Sequence, residues 1–218
     1  MPLPARPPAL RAARDIHPGR GEVSGREDGS GMRRPHGRGT DLALVAVFAA
    51  LVGALALTPG VPIGVLNVPI TLQTLGIMLC GAVLGPWRGF LAALVYLVVG
   101  LAGVPVFASG AGGLGVLAGA SAGFLLSYPF AALVVGACSR WGVRSRHPRV
   151  GVVVGALLGG IVVVYAGGIP GMAFNGGLGL STAATLAVGY LPGDLVKVVL
   201  TVVVALPVHR AFPQLLAR

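Results

Sequence analysis

Charged side chains are scarce in this sequence: they make up 10% of its 218 residues, whereas hydrophobic residues make up 55%. Lys197 is the only lysine, and Asp194 is the only acid that follows Asp41. A soluble domain of this length needs far more charge on its surface. The composition therefore excludes an ordinary soluble fold, and a mean hydropathy of +0.88 favours a membrane protein.

Cysteine and recognisable catalytic motifs are also lacking. The two cysteines, Cys80 and Cys138, form no Cys-x-x-Cys motif and lie near the ends of apolar runs, which favours apolar packing over a disulfide or a metal site. No serine lies beside a plausible histidine base, and no metal-ligand cluster or nucleotide-binding loop occurs. The sequence therefore predicts neither an enzyme nor a bound cofactor, and any ATP must be hydrolysed by a different chain.

Long apolar runs are what the sequence contains instead. A bilayer span requires about 20 mainly apolar residues, and six such runs predict an all-α membrane protein with six transmembrane helices. We expect Thr40 or Asp41 to cap the first helix. Two glycine-rich segments, 103–123 and 168–190, are predicted to be loops. The spans are expected at about 42–58, 69–84, 90–102, 124–138, 150–167 and 192–208.

Two rows of small residues lie within these runs. Gly151, Gly155 and Gly159 recur every four residues and predict a helix face that packs closely against a neighbouring helix. Ala46, Ala50 and Ala54 form a similar strip, which predicts close approach of a helix either inside the bundle or from another protein.

The distribution of arginine predicts the orientation in the membrane. Three of the connections contain no basic residue, and positive charge is concentrated on the cytoplasmic side of membrane proteins. Both termini are therefore predicted to be cytoplasmic. The net charge of +10 is therefore explained by the orientation of the protein in the membrane, and no nucleic-acid partner is expected. The arginines of the predicted inner segments are Arg33, Arg34, Arg38, Arg88, Arg140, Arg144, Arg146, Arg149, Arg210 and Arg218.

The chain divides into a tail and one membrane domain. Residues 1–40 are rich in arginine, proline and glycine and have few large apolar side chains, so we expect a disordered basic N-terminal tail. Met32, shortly before the first apolar run, is an alternative start. Residues 41–210 are predicted to form the transmembrane domain, and residues 211–218 a short cytoplasmic tail.

Asp194 and Lys197 are opposite charges within an apolar helix, three residues apart and therefore on one helical face. Charge inside a membrane is costly and marks a functional site. The alternative is a structural ion pair that pins two helices together. With the predicted orientation, the pair lies beneath the outer loops.

Other polar and aromatic residues are expected near this pair. We expect exposed polar groups there, and together with the glycine-rich loops they predict a shallow outward pocket. Four aromatic residues either add apolar or stacking surface to this pocket or form ordinary interfacial packing. The polar residues are Asn67, Gln73, Ser109 and Asn175, and the aromatic ones are Phe107, Phe124, Tyr165 and Tyr190.

Three separated motifs occur in the sequence: Val-Pro-Ile-Thr-Leu-Gln-Thr-Leu at 68–75, a glycine-rich segment at 100–117, and Leu-Pro-Gly-Asp-Leu-Val-Lys at 191–197. In this order they resemble the BioY family of biotin transport proteins. These are the membrane-embedded substrate-binding (S) components of energy-coupling factor (ECF) transporters. The resemblance covers residues 42–208.

The resemblance implies six helices and outward capture of biotin at the cytoplasmic membrane of a prokaryote, within membrane lipid. It implies uptake energised by a transmembrane T component with two ABC ATPase subunits, although some members work without a dedicated set. Biotin is then the substrate, with no cofactor. The alanine row resembles the strip that S components present to the T component. The implied ligand-binding residues are Asp194, Lys197, Gln73, Ser109, Gly110, Gly112, Gly113 and Tyr165.

Two segments depart from the family pattern. Residues 120–124 read Ala-Ser-Ala-Gly-Phe where the family usually has Pro-Thr-Gly-Gly-Tyr, and Gly189-Tyr190 replaces a usual Pro-Phe. Two alternatives stay open. An S component for another small vitamin shares the six-helix plan but not the Asp-x-x-Lys motif. A structural membrane protein with an internal ion pair explains the helices, but not the position of the pair.

Overall fold

The computed structural model describes residues 38–63, 68–212 and 215–216. Most of the predicted N-terminal tail, with Met32, lies outside the described residues, as do Asn67 and half of the predicted C-terminal tail. The regular secondary structure of the described ranges is helical apart from one short two-stranded antiparallel sheet. Its α-helices are α1 (Arg38–Ala56), α2 (Gln73–Leu84), α3 (Pro86–Leu101), α4 (Ala122–Arg144), α5 (Pro148–Leu157), α6 (Val164–Gly176), α7 (Leu180–Val188) and α8 (Leu191–Ala211).

In the part of the chain that the structure describes, four helices are long and apolar enough to cross a membrane. They are Gly39–Ala56, Ala122–Arg144, Pro148–Gly176 and Leu191–Ala211. The third of these joins α5 to α6 through a π-helical segment, Leu158–Val163. Helices α2 and α3 are apolar but shorter, with 12 and 16 residues.

The second helix starts later than the sequence predicts. Strands β1 (Val61–Ile63) and β2 (Val68–Ile70) pair antiparallel, with Pro62 opposite Pro69, and α2 begins only at Gln73. A residue that precedes proline is restricted to extended conformations, which favours a strand at Val61 and Val68 over a helix.

The predicted cap of the first helix is also wrong. Helix α1 begins at Arg38, so Thr40 and Asp41 lie inside its first turns. The carboxylate of Asp41 instead forms an ion pair with Arg88 of α3, with 3.2 Å between Oδ1 and Nε.

The predicted loop at 168–190 is largely helical, because α6 continues to Gly176 and α7 follows. Glycine lowers intrinsic helix stability, but here it permits close packing that offsets the cost. A Cβ atom added to Gly171 would lie 2.6 Å from the Cα of Gly123 in α4. Packing against α4 therefore keeps this segment helical.

The predicted glycine face of the fifth span is confirmed. A Cβ added to Gly151 would lie 2.6 Å from the Cα of Gly142, and one added to Gly155 would lie 2.8 Å from the carbonyl oxygen of Val135. Gly159 lies against the backbone of Ala131. Ala131, Val135 and Gly142 all belong to α4. Helix α4 thus has α5 and α6 against one side and also contacts α2 and α3.

A candidate ligand-binding site

The ion pair predicted from the sequence is present in the first turns of α8. Nζ of Lys197 lies 2.8 Å from Oδ1 of Asp194, and each side chain is only 6% exposed. Pro192 lies in the first turn of α8, where no backbone donor is lost. The three-residue spacing therefore places both charges on one face, as predicted.

Two further helices supply hydrogen bonds to this pair. Lys197 donates to Oγ1 of Thr74 in α2 at 2.8 Å, and the same hydroxyl lies 3.4 Å from Oδ1 of Asp194. The Tyr165 hydroxyl, in α6, donates to Oδ2 of Asp194 at 2.7 Å. Buried charges are tolerated when they are paired and hydrogen-bonded. Helices α2, α6 and α8 therefore meet at the ion pair.

A cavity of about 150 Å³ lies beside the pair. Five of the predicted site residues line it, whereas Gly110, Gly112 and Gly113 are not among its lining residues, so their contact with a ligand stays a prediction. The four predicted aromatic residues line the cavity as well. The five polar site residues are Asp194, Lys197, Gln73, Ser109 and Tyr165, and the aromatic ones are Phe107, Phe124, Tyr165 and Tyr190.

The aromatic side of the cavity is built around Phe124. Its ring meets the rings of Tyr165 and Tyr190 edge to face, with centroids 6.3 and 6.4 Å apart. Such pairs stabilise a fixed arrangement beyond the area that they bury. The cavity therefore combines one wall of charged and hydroxyl groups with another of aromatic surface.

Gln73 is buried rather than exposed, and only 3% of its surface is accessible. Its amide nitrogen donates to the hydroxyl of Tyr96 at 2.7 Å, and Tyr96 donates to the carbonyl oxygen of Val106 at 3.0 Å. Gln73 thus connects α2 to α3 and to the glycine-rich segment behind the cavity. The prediction that this amide is exposed is wrong, because it is hydrogen-bonded to Tyr96. The two residues are 23 positions apart, so no local pattern in the sequence indicates the contact.

The glycine-rich segment 103–123 is held in place by hydrogen bonds. The N–H of Gly113 donates to the carbonyl oxygen of Gly100 at 2.7 Å. The side-chain amide of Asn175 donates to the carbonyl oxygens of Leu117 and Gly119, both at 2.9 Å. Ser109 has a positive φ of 58° and lies in a single turn of 3-10 helix. These contacts fix the segment that brings Ser109 to the cavity.

Among the cavity residues that sequence reasoning did not assign to the site are three with hydroxyl groups near the ion pair or on the wall of α4. Thr74 bonds both charged groups. Ser121, which directly precedes α4, and Tyr128 within α4 lie on the cavity wall. Ser121, Phe124 and Tyr128 are spaced three and four residues apart, so they share one helical face. That spacing is the signal that could have found them, given that Phe124 was a candidate.

The alanine row lies on the outer surface of the protein. Ala46, Ala50 and Ala54 are exposed, whereas the opposite face of α1, with Val45 and Val52, is buried. The sequence left open whether this strip packs inside the bundle or faces another molecule. In the described chain it is not part of the core.

A buried ion pair at the wall of a cavity, surrounded by apolar helices, is typical of the ligand site of a membrane protein. The family model of the BioY family matches residues 32–214. The chain belongs to the BioY family.

Curated relatives and a solved structure agree with this assignment. The chain is 44% identical to the biotin transporter BioY of Rhodobacter capsulatus, over 82% of this chain and 98% of the relative. It is 41% identical to the biotin transporter BioY of Rhizobium etli, with 82% and 97% covered. The fold is similar to the S-component for biotin from an ECF-type ABC transporter, with a TM-score of 0.73, 31% identity, and 80% and 91% of the two chains covered.

Proposed function

We propose that this protein captures biotin at the cytoplasmic membrane of a prokaryote and takes part in its uptake as the substrate-binding subunit of an ECF-type ABC transporter. The observation that carries the proposal is the buried Asp194–Lys197 pair at the wall of a cavity. The similarity to biotin transporters and to a biotin S-component supports biotin as the ligand.

The chemistry of the pair suits biotin. Its fused ureido ring offers two N–H donors and a carbonyl group, and its valerate chain ends in a carboxylate. A carboxylate accepts N–H bonds, and an ammonium group donates to carbonyl or carboxylate oxygens. Lys197 has three N–H donors, of which Asp194 and Thr74 accept two within the described chain. One donor therefore remains for a ligand.

Gln73, Tyr165 and the segment from Ser109 to Gly113 are proposed to complete the site. Tyr165 and Ser109 line the cavity, and Gln73 supports the glycine-rich segment through Tyr96. Position 112 has no room for a side chain and therefore favours glycine, because a Cβ there would lie 2.6 Å from the carbonyl oxygen of Val104. Gly110 and Gly113 have positive φ angles of 73° and 83°, which glycine adopts readily.

We further propose six transmembrane helices with both termini in the cytoplasm. The four long apolar helices would span together with the shorter α2 and α3. The bias of arginine to one set of connections supports this orientation. In that orientation the cavity opens toward the outside, where the substrate is captured.

The proposed partners are a transmembrane T component and two ABC ATPase subunits. Ala46, Ala50 and Ala54 would form the docking surface for the T component. Their exposure on α1 supports this role, because small side chains allow the backbones of two helices to approach closely.

Binding of radiolabelled biotin to the purified full-length protein tests the proposal. We expect saturable binding that unlabelled biotin displaces and that other vitamins do not. Saturable binding of a different radiolabelled vitamin, without saturable binding of biotin, would indicate an S component for that vitamin. The absence of saturable binding of any vitamin would instead favour a structural role for the ion pair.

A further inference from the structure

A second cavity lies at the opposite end of α8 from the Asp194–Lys197 pair. The side chains of Arg146, Arg149 and Arg210 line it together with His209, and Val143 and Leu206 add apolar surface. Its wall thus combines three positive charges with aliphatic groups. The cavity is formed by α4, α5 and α8, and it is separate in the chain from the residues proposed to bind biotin.

The turn between α4 and α5 concentrates positive charge at this cavity. Arg146 has a φ of 61°, which is uncommon for a residue other than glycine. Hydrogen bonds from the N–H of Arg146 to the carbonyl oxygen of Val143, and from the N–H of His147 to that of Gly142, fix the turn. Arg149 follows in the first turn of α5, where the helix dipole is also positive.

No carboxylate in the described ranges forms an ion pair with these three arginines. The acids of those ranges are Asp41 and Asp194, and they pair with Arg88 and Lys197. Arg146, Arg149 and Arg210 are exposed. Three like charges around one cavity repel each other, so the arrangement favours an anionic ligand.

The position of the cavity at the ends of two apolar helices indicates the source of such an anionic ligand. Helices α4 and α8 are long and apolar enough to span a membrane, and both end beside the cavity. Helix α8 exposes Val199 and Val203 in the turns that precede Arg210. The ends of spanning helices lie at the level of the lipid headgroups, whichever side of the membrane they face.

We propose that this cavity binds the phosphate of an anionic phospholipid. Guanidinium groups bind phosphate oxygens through paired hydrogen bonds, and basic pockets between transmembrane helices bind anionic headgroups. Val143 and Leu206 then contact the glycerol and upper acyl carbons. Free phosphate shares the anionic group but not this apolar contact.

Binding of a ligand in this cavity should increase the thermal stability of the protein, because His209 ties the cavity to a neighbouring helix. Its Nε2 lies 2.8 Å from the carbonyl oxygen of Ala82 and joins the end of α8 to α2. A ligand held between α5 and α8 next to this ring restrains the last turn of α8. Anything that binds the folded state but not the unfolded state raises the melting temperature.

The test measures the melting temperature of the full-length protein in detergent during titration with phosphatidylglycerol. We expect a saturable increase, no effect of phosphatidylcholine, and little effect of inorganic phosphate. In the variant R146Q/R149Q/R210Q the apparent affinity should fall on the order of a hundredfold, because each arginine near an anionic lipid contributes roughly fivefold. Arg144→Gln is the matched control, because Arg144 is exposed in the last turn of α4 but outside the cavity.

The single variants Arg149→Gln and Arg210→Gln keep the test decisive if the triple variant fails to fold, and each should weaken binding about fivefold. An equal loss in Arg144→Gln would overturn the proposal in favour of non-specific charge. Inorganic phosphate as effective as the lipid would identify a free-anion site instead. Unchanged lipid affinity in the triple variant, together with lost transport, would assign the arginines to an acidic protein partner.

Discussion

The hydroxyl of Tyr165 lies 2.7 Å from Oδ2 of Asp194 and joins α6 to α8 at the wall of the cavity. Lys197 and Thr74 lie at the other carboxylate oxygen. Asp194 is therefore held from two sides by three helices. A ligand that bonds this carboxylate meets a group whose position is already fixed, so little ordering of the side chain opposes binding.

Substitution of the ion pair should reduce biotin binding. Asp194→Asn keeps the size of the side chain but loses a charge-assisted hydrogen bond, which contributes on the order of 1.5 to 3 kcal/mol. That corresponds to a roughly ten- to hundredfold loss of affinity. Lys197→Ala should also bind weakly, because it removes the ammonium donor and leaves the carboxylate unpaired. Equilibrium binding of radiolabelled biotin measures both effects.

A purely structural pair gives a different result in the same experiment. Both single variants would then lower the melting temperature together, and the double variant D194N/K197M would fold and bind biotin, because a buried ion pair can be replaced by neutral residues. Affinity and melting temperature must therefore be measured side by side. Retained affinity in any of the three variants contradicts ligand contact.

Removal of the Tyr165 hydroxyl should weaken binding without unfolding the protein. Tyr165→Phe keeps the aromatic contact with Phe124 but removes the hydrogen bond to Asp194, so we expect roughly a tenfold loss of affinity or more, as for a hydrogen bond to a charged group. Tyr190→Phe is the control. Tyr190 also contacts Phe124 and lines the cavity, but its hydroxyl makes no hydrogen bond to another described residue. Unchanged affinity in Tyr165→Phe would show that Tyr165 acts only through its ring, and equal losses in both variants would show that the hydrogen bond to Asp194 is not the cause.

The close packing of α4 and α5 can be tested with two alanine substitutions. A Cβ at Gly155 would lie 2.8 Å from the carbonyl oxygen of Val135, whereas a Cβ at Gly115 meets nothing within 4 Å. Overpacking of a tight contact costs about 1 to 3 kcal/mol, so Gly155→Ala should lower the melting temperature and Gly115→Ala should not. The two melting curves decide the matter, and a similar stability of both variants would contradict the backbone contact.

The proposed topology predicts which positions an impermeant thiol reagent can reach. In a Cys138→Ala background, a cysteine at Gly115 should react from outside intact cells, and a cysteine at Ser145 should not. Gly115 has open space for a side chain, so this substitution does not strain the loop. Labelling of Ser145→Cys alone would indicate the opposite orientation. Equal labelling of the cysteines at positions 115 and 145 would contradict the single span predicted between them.

The alanine strip should affect transport rather than binding. A leucine at Ala50 or Ala54 blocks close approach of a partner helix but lies away from the cavity, so we expect lower uptake with unchanged biotin affinity. Val47→Leu is the control, because Val47 is exposed on the same side of α1 and this change enlarges the side chain by only one carbon atom. Uptake into cells that express the ECF partners, measured beside binding to purified protein, separates the two effects. A loss of binding in Ala50→Leu would contradict a docking role.

Much of this site can be derived from the sequence because its signals are local. The spacing of Asp194 and Lys197 fixes their position on one face of a helix, whatever the helix packs against. The four-residue spacing of Gly151, Gly155 and Gly159 predicts a close contact for the same reason. The scarcity of charge predicts apolar helices without any knowledge of their arrangement.

The partners of these residues depend on contacts across the fold. Thr74 and Asp194 are 120 residues apart, and Gln73 and Tyr96 are 23 apart, so no local pattern connects them. The exposure of Ala50 also depends on which side of α1 meets the other helices.

The sequence by itself determined the class of the protein, the ion pair and the small-residue faces, because composition and helical periodicity act over a few turns. Only the tertiary structure decided that Tyr165 and Thr74 bond the pair, that Gln73 turns to Tyr96, and that 168–190 is mostly helix. These outcomes depend on the packing of α2, α4, α6 and α8. Close packing of glycine against glycine compensated for a low helix propensity.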